Sequence, residues 1–536
     1  MRRKRRLLGV GAAVVLASAG LVAATAASGT GVAAASAPSK TAVPKTAVDS
    51  AIGPQLQQAP LSTFTSKATA ADACSLPDGT GNTHYHCYTP QQIRSAYGVD
   101  KVAPLAGGAA NEGQGQTIVL VDSYGSPTAA SDLQHFHDTF FPGEPNPDFS
   151  EVYPNGNPQY QACNGNGTQH SGQCAAASWT GEATLDIEWA YSIAPKAHIV
   201  LMAVPPAETL GVQGLPNLFK GMSSEISSLP SGTVFSMSFG VTEQTFEGAA
   251  AQQTAKFDQV FQQGLAKGDN FFTSSGDNGT QGAAKQDGEN ATYSYPTVGW
   301  PASSPYVTSV GGTQLMDGWT WDPTSDDPST SGYWNSTSGG DSQAVWNESW
   351  APIGTGGGAS AVYSRPSWQT ADSSLGDHRI VPDTSWNAAV NGGVDVYITA
   401  YPEYNCGNST GCWTFYGGTS AASPQTAALT ALVNAARASA GKSPLGFLAP
   451  MLYSGIGASS AYTDIVPEHL GSAPATFSGA EADGSASVSK SVGDLVDNQM
   501  WDVSVAGYPT TTGYDATTGW GTPNAQAFVA DLTAHA

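Results

Sequence analysis

The chain is poor in charge, and poorest in positive charge. Only 12% of its 536 residues are charged, with 20 Lys and Arg against 43 Asp and Glu, for a net charge of −23. Such a surface repels nucleic acid and anionic membranes, so neither partner is expected. Five of the few basic residues (Arg2, Arg3, Lys4, Arg5 and Arg6) crowd ahead of the apolar run Leu7–Ala24. That is the layout of a secretory signal over residues 1–27, with cleavage near Ala24–Ala27, and Arg5-Arg6-Leu-Leu leaves a twin-arginine route open. Without it the mature chain is five units more negative. No later stretch is apolar for long enough to span a bilayer, so the expected location is secreted and extracellular. Few basic groups also limit positive self-repulsion once carboxylates protonate, which points towards an acid environment.

Cysteine is scarce as well. The six residues form close pairs in sequence: Cys74/Cys87, Cys163/Cys174 and Cys406/Cys412. Six cysteines allow about fifteen pairings, and bridges between near neighbours are the simplest scheme for an exported chain. The absence of Cys-x-x-Cys spacing argues against a zinc cluster. Nine histidines are present, none in a His-Gly-Thr setting among small residues. His198 opens a buried strand, and His135 and His137 lie on a helix with polar neighbours. A serine nucleophile in this chain has no obvious histidine base, whereas a carboxylate can serve at low pH.

Hydrophobic residues reach 40%, and Gly (62) and Pro (34) are plentiful, which describes a loop-rich globular protein. Residues 28–73 are rich in Ala, Ser, Thr, Pro and Lys and read as a flexible linker or vestigial pro-segment. A short helix is expected from Pro90, with Ile93 and Tyr97 on one face. Strands are expected at Thr117–Val121, His198–Val204, Val234–Phe239, Asn270–Ser274 and Pro305–Val310. Helices are expected at about Pro127–Phe141, Glu182–Tyr191 and Gly248–Lys267. Residues 314–360 read as a surface excursion. Helices alternating with near-continuous apolar strands give an α/β fold with a mainly parallel sheet covered on both faces, in a single domain over 74–536. Active sites of such sheets lie beyond the carboxyl ends of strands.

Three stretches could carry chemistry. Tyr416-Gly-Gly-Thr-Ser-Ala-Ala-Ser-Pro424 is a glycine turn that delivers Ser420 to the start of an Ala-rich helix. A helix N-terminus favours an oxyanion, and Pro424 suits a first turn. The same residues also suit a plain turn before a buried helix. In Gly181-Glu-Ala-Thr-Leu-Asp-Ile-Glu-Trp189, Glu182 and Asp186 stack one turn apart on an amphipathic helix that carries Leu185, Trp189 and Ile193. They form either a solvated acidic face or a general base with an orienting partner. Asp277, in Ser275-Gly-Asp-Asn-Gly279, leaves a strand in a turn that its residue types favour anyway.

Taken in order, the motifs are specific. Tyr88-Thr-Pro-Gln-Gln-Ile-Arg, Gly115-Gln-Thr-Ile-Val, Glu182-x-x-x-Asp186, Ser275-Gly-Asp277, Pro301-Ala-Ser-Ser-Pro-Tyr-Val-Thr-Ser-Val-Gly-Gly-Thr313, Gly356-Gly-Gly-Ala-Ser360, Val381-Pro-Asp383, Gly417-Gly-Thr-Ser-Ala-Ala-Ser-Pro424 and Thr518-Gly-Trp-Gly-Thr-Pro523 follow one another. From about Tyr88 to Ala530 the chain resembles the sedolisin family, the serine-carboxyl peptidases with a subtilisin-like fold. The resemblance implies a secreted, acid-active peptidase working through an acyl-enzyme, as an endopeptidase or a tripeptidyl-peptidase. It implies Ser420 as nucleophile, Glu182 as base, Asp186 as its orienting partner and Asp277 as oxyanion-hole donor.

The resemblance also implies one structural calcium ion, held by Asp464, Ile465, Thr511, Gly513 and Asp515, an oxygen set suited to a hard cation. Asp502-Val503 is a competing match for the first pair, and turn aspartates without a metal are the alternative. Phe239 stands where some members, such as kumamolisin, carry tryptophan. Asp122 stands where those members carry an extra acid linked to the base; it also suits a plain strand end. The family usually has a folded prodomain, whereas fewer than about seventy residues lie here between the signal and Tyr88. Protein or peptide substrates and a monomer are expected. A catalytically silent secreted binding protein of the same fold is the alternative.

Overall fold

The computed structural model describes residues 53–54, 57–58, 87–158, 175–282, 293, 295–317, 319–321, 334–336, 342–348, 353–371, 374–400, 411–476, 489–499 and 505–535. The expected signal peptide and the segment 74–86 lie outside them. So do Asp502-Val503 and the cysteines at 74, 163, 174 and 406. Cys87 is disulfide-bonded. Within the stretch expected to be a linker, two dipeptides are paired strands: β1 (Gly53–Pro54) and β2 (Gln57–Gln58).

Further along the chain come β3 (Cys87–Tyr88), helix α1 (Pro90–Ala96), β4 (Thr117–Ser123), α2 (Ala129–Phe140), β5 (Phe149–Val152), α3 (Ala175–Ile193) and β6 (His198–Val204). They are followed by α4 (Leu215–Ser228), β7 (Val234–Met237), β8 (Phe239–Thr242), α5 (Ala250–Lys267), β9 (Asn270–Ser274) and β10 (Thr308–Met316). The last are β11 (Ser342–Val345), β12 (Thr384–Asn387), β13 (Gly393–Ile398), β14 (Cys412–Gly417), α6 (Thr419–Ser439) and α7 (Ala525–Ala534). The expected α1 starts as its residues require. Thr89 and Gln92 close a capping box, and Pro90 occupies the first turn, where no N–H is needed.

The central sheet runs β11-β10-β9-β7-β4-β6-β5, with β12 also pairing β10. All of its pairs are parallel except β10 with β11. Its strands alternate cleanly between two cores. Ile118, Leu120, Ile199 and Leu201 face one core with α3 and α6. Val119, Val121, Val200, Met202 and Phe235 face the other, with α4 and α5. Both faces are covered, so the strands carry the continuous apolar runs seen in the sequence. The chain leaves β4 for β5, returns to β6 beside β4, then crosses to β7 on its other flank. That makes the carboxyl end of β4 the switch point where a ligand crevice opens, and Asp122 sits there.

Three expectations change. The single strand Val234–Phe239 is two strands that break at Ser238. The strand expected at Pro305–Val310 starts at Thr308 and runs on to Met316. Residues 342–346 are no surface excursion, because β11 extends the central sheet and Trp346 is fully buried. Aromatic and Val side chains in that Gly/Ser-rich stretch fit a half-buried pleat, which composition alone hides.

Candidate active site

Two adjacent glycines build the turn before Ser420. A Cβ on Gly417 would lie 2.5 Å from the Ala388 carbonyl oxygen. Gly418 has φ +96°, a conformation that L side chains rarely adopt. Helix α6 then starts at Thr419, with Ser420 in its first turn and buried.

Pro424 is not in that first turn but one turn on. Its missing N–H would have bonded the Ser420 carbonyl four residues back. That carbonyl instead accepts the Ser238 hydroxyl at 3.4 Å. The Ser420 hydroxyl in turn donates to the Ser238 carbonyl at 3.3 Å. The break in the strand at Ser238 and the proline in the helix therefore serve one junction.

Helix α3 carries Glu182 and Asp186, and both are fully buried. The solvated acidic face is thereby excluded. The amphipathic helix expected from Leu185, Trp189 and Ile193 is instead buried on every side from Trp179 to Ala194. Its far side holds Glu188, an acid that sequence reasoning passed over, which accepts the Tyr397 N–H at 3.0 Å. Asp186 Oδ1 accepts the Ser238 hydroxyl at 2.8 Å. Ser238 thus joins the acid to the nucleophile's backbone. The only sequence signal for it was its place beside Phe239 in Ser236-Met-Ser-Phe-Gly240.

Neither carboxylate oxygen of Glu182 has a hydrogen-bond partner within normal limits. The Ser420 hydroxyl is still near enough to favour its charged form. Burial pushes Glu182 well up, and the charges of Asp186, Asp122 and Asp277 add to this. Burial and Asp122 push Asp186 up too, against the Ser238 hydrogen bond. Asp122 is buried without a hydrogen bond to either oxygen, and burial raises it from 3.8 to about 8. The four acids thus feel one another, as like charges sharing a dry site must.

Asp277 sits past the end of β9. Its Oδ1 accepts both the backbone N–H and the hydroxyl of Thr419, each at 2.8 Å. The Thr419 hydroxyl also accepts the Gly276 N–H at 3.1 Å. The residue before Ser420 thereby ties the Asp277 turn to the nucleophile's helix. With Oδ1 committed as acceptor, a proton on this carboxyl belongs on Oδ2. Phe239 packs near Trp179, with ring centroids 6.2 Å apart.

The histidines are occupied elsewhere. His198 meets the Ser150 hydroxyl at 2.8 Å, and His137 meets the Tyr191 hydroxyl at 2.6 Å. His137 is buried rather than set among polar neighbours.

The positions named for calcium also converge. Asp464 Oδ2 accepts the Gly513 N–H at 2.9 Å, and Asp515 Oδ2 accepts the Thr511 N–H at 3.0 Å. Ile465 is buried beside them. Asp515 Oδ1 is fully engaged by Thr517 and Thr518. The donors are carboxylate and carbonyl oxygens, which fit calcium. Among the described residues no cluster of three or more His, Cys, Asp or Glu could hold a metal ion, so carbonyls would have to complete the set.

Residues 113–445 match the Subtilase family, and that span contains the whole constellation. This chain belongs to the subtilase family, on its sedolisin branch. It is 29% identical to kumamolisin of Bacillus sp. (strain MN-32) over 375 residues, covering 68% of this chain and 55% of that protein. It is 35% identical to sedolisin of Pseudomonas sp. (strain 101) over 207 residues, covering 37% and 29%. It is 27% identical to tripeptidyl-peptidase 1 of Rattus norvegicus over 362 residues, covering 66% and 51%. The chain thus spans about half or less of the length of these relatives. The solved Pseudomonas sedolisin (serine-carboxyl proteinase), complexed with two molecules of pseudo-iodotyrostatin, has the same fold. It superposes with a TM-score of 0.56 at 24% identity, covering 84% of this chain and 99% of that one.

Proposed function

We propose that this member of the subtilase family is a secreted serine-carboxyl peptidase active in acid. The observation that carries the reading is the junction of Ser420, Ser238 and Asp186 beside the buried, cation-free Glu182. The Ser420 Oγ attacks a peptide carbonyl while Glu182 takes its proton and passes it to the leaving amine. Water then resolves the acyl-enzyme by the same route in reverse. Asp186, held by Ser238, orients Glu182, and the charge it shares with Glu182 and Asp122 makes the cluster retain protons. Asp277 donates a hydrogen bond from Oδ2 to the oxyanion, a contact worth roughly 3–4 kcal/mol. A base that must be ionised and a donor that must be protonated coexist at low pH.

Protein or peptide substrates follow from the relatives named as peptidases. A calcium ion held by Asp464, Asp515 and the carbonyls of Ile465, Thr511 and Gly513 would tie the C-terminal loops together. The test is digestion of a peptide library over a pH series, read by mass spectrometry. We expect cleavage near pH 4 that Ser420→Ala abolishes. Equal cleavage by that variant, or a maximum at neutral pH, overturns the reading.

A further inference from the structure

The two dipeptides β1 and β2 lie on opposite flanks of Ser420. Gly53 and Pro54 pair antiparallel with Gly240 and Phe239 of β8. Gln57 and Gln58 pair antiparallel with Gly417 and Tyr416 of β14. Strand β8 begins one residue after Ser238, whose carbonyl holds the Ser420 hydroxyl. Strand β14 ends three residues before Ser420 itself. The chain therefore enters along one edge of the nucleophile's junction and leaves along the other, with two residues between. Helix α3, which bears Glu182, lies against β1 as well.

An added antiparallel strand on an exposed edge is how a peptidase cleft commonly holds an extended substrate, main chain to main chain. Pro54 suits that role, because it has no N–H to give and opposes Phe239 at a position that needs none if Gly53 and Gly240 exchange the bonds. The two flanking pairs fix the direction and register of the segment. A slip by one residue would move the intervening bonds along the cleft and turn every side chain to the other face.

We propose that residues Gly53 to Gln58 are an internal substrate strand, which Ser420 cuts between Pro54 and Gln57. The inference rests on the peptidase reading above. The Ser420 Oγ forms an ester to the carbonyl carbon as the C–N bond breaks. Its proton passes through Glu182 to the new amine. Water then breaks the ester, restores the Ser420 hydroxyl and leaves a new carboxylate, one water being consumed for each cut. Until then the strand fills the cleft and keeps other peptides out.

The full-length chain, prepared at neutral pH and shifted to about pH 4, tests this. Termini are read by mass spectrometry while hydrolysis of an added peptide is followed in the same sample. The expected result is a new N-terminus at Gln55, Leu56 or Gln57. It should form at a first-order rate that does not change over a 100-fold dilution, and peptide hydrolysis should rise in step. The Ser420→Ala chain should stay whole. Gln57→Pro, which removes an N–H of the pairing with β14, should slow the cut at least tenfold and leave hydrolysis of added peptide equal or higher from the start.

Peptide hydrolysis without a cut in this window overturns the inference and leaves the peptidase reading standing. No hydrolysis and no cut overturns both. A cut rate proportional to protein concentration overturns the internal substrate. A cut in the Ser420→Ala chain overturns self-cleavage.

Discussion

Two sets of buried carboxylates in this fold meet opposite fates. Asp383 is fully buried and fully compensated. Arg379 reaches its two oxygens at 2.8 and 2.5 Å, Tyr453 donates to it at 2.8 Å, and the Ser309 N–H donates at 2.8 Å. Glu182, Asp186 and Asp122 are buried just as deeply, yet no cation pairs with them among the described residues. A buried acid with a guanidinium stays charged and holds chain segments together. A buried acid without one keeps its proton to a higher pH and becomes a group that can exchange it. Sequence gave Val381-Pro-Asp383 and Glu182-x-x-x-Asp186 equal weight as motifs; only the partner set separates structural from chemical carboxylates.

The sharpest way to break the contrast is Glu182→Gln. It should lower peptide hydrolysis at about pH 4 by roughly 10²–10⁴-fold, the usual worth of a positioned base, while the melting temperature is kept or raised. Residual turnover near wild type would place the base elsewhere. Asp383→Asn should do the opposite. It strands a buried guanidinium and should cost about 3–5 kcal/mol of stability, seen as an early denaturant midpoint. An unchanged midpoint would mean that the Arg379 pair is dispensable.

Asp122→Asn sharpens the comparison through pH. In the fold Asp122 holds its proton up to about pH 8; unfolded, it loses it near 3.8. The folded state therefore binds more protons between those values, and stability falls as the pH rises through that window. The variant should flatten the decline in melting temperature between about pH 4 and 8, by a few degrees at the upper end. An equally steep decline would show that other acids carry it. The smallest effect expected is from excess chelator, which should lower the melting temperature of wild type by a few degrees through loss of a ligand bound to the native state. It should leave Asp464→Ala unmoved. Identical melting curves of wild type with and without chelator would remove calcium from the account.

Much of the fold was legible in the residues. His198–Val204 and Asn270–Ser274 are strands with the expected bounds, because a parallel strand covered on both faces is an unbroken apolar run ended by polar turns. The parts that were not legible share a cause. Ser238 looked like the interior of a strand, and its break is set by the hydroxyl's contacts to residues 52 and 182 positions away. Pro424 looked like a first-turn proline, and it lies a turn later because the Ser420 carbonyl has a partner from another strand. Glu188 looked like more of an acidic face, but its partner is the Tyr397 backbone on β13. The pairing of residues 53–58 could not be read from a stretch with little periodicity, since two-residue strands carry no pattern of their own.

What the sequence determined by itself is the inventory: a nucleophile on a glycine turn, acids in place of histidine, a parallel α/β scaffold, and a surface with little positive charge. These are local or compositional properties, set by residue types and spacings along one chain. What only the tertiary structure decided is which acids lack a counter-charge, which hydroxyl joins Ser420 to Asp186, and what lies across the nucleophile. Those depend on desolvation and on contacts between segments hundreds of residues apart, and neither is written in any short stretch of the chain.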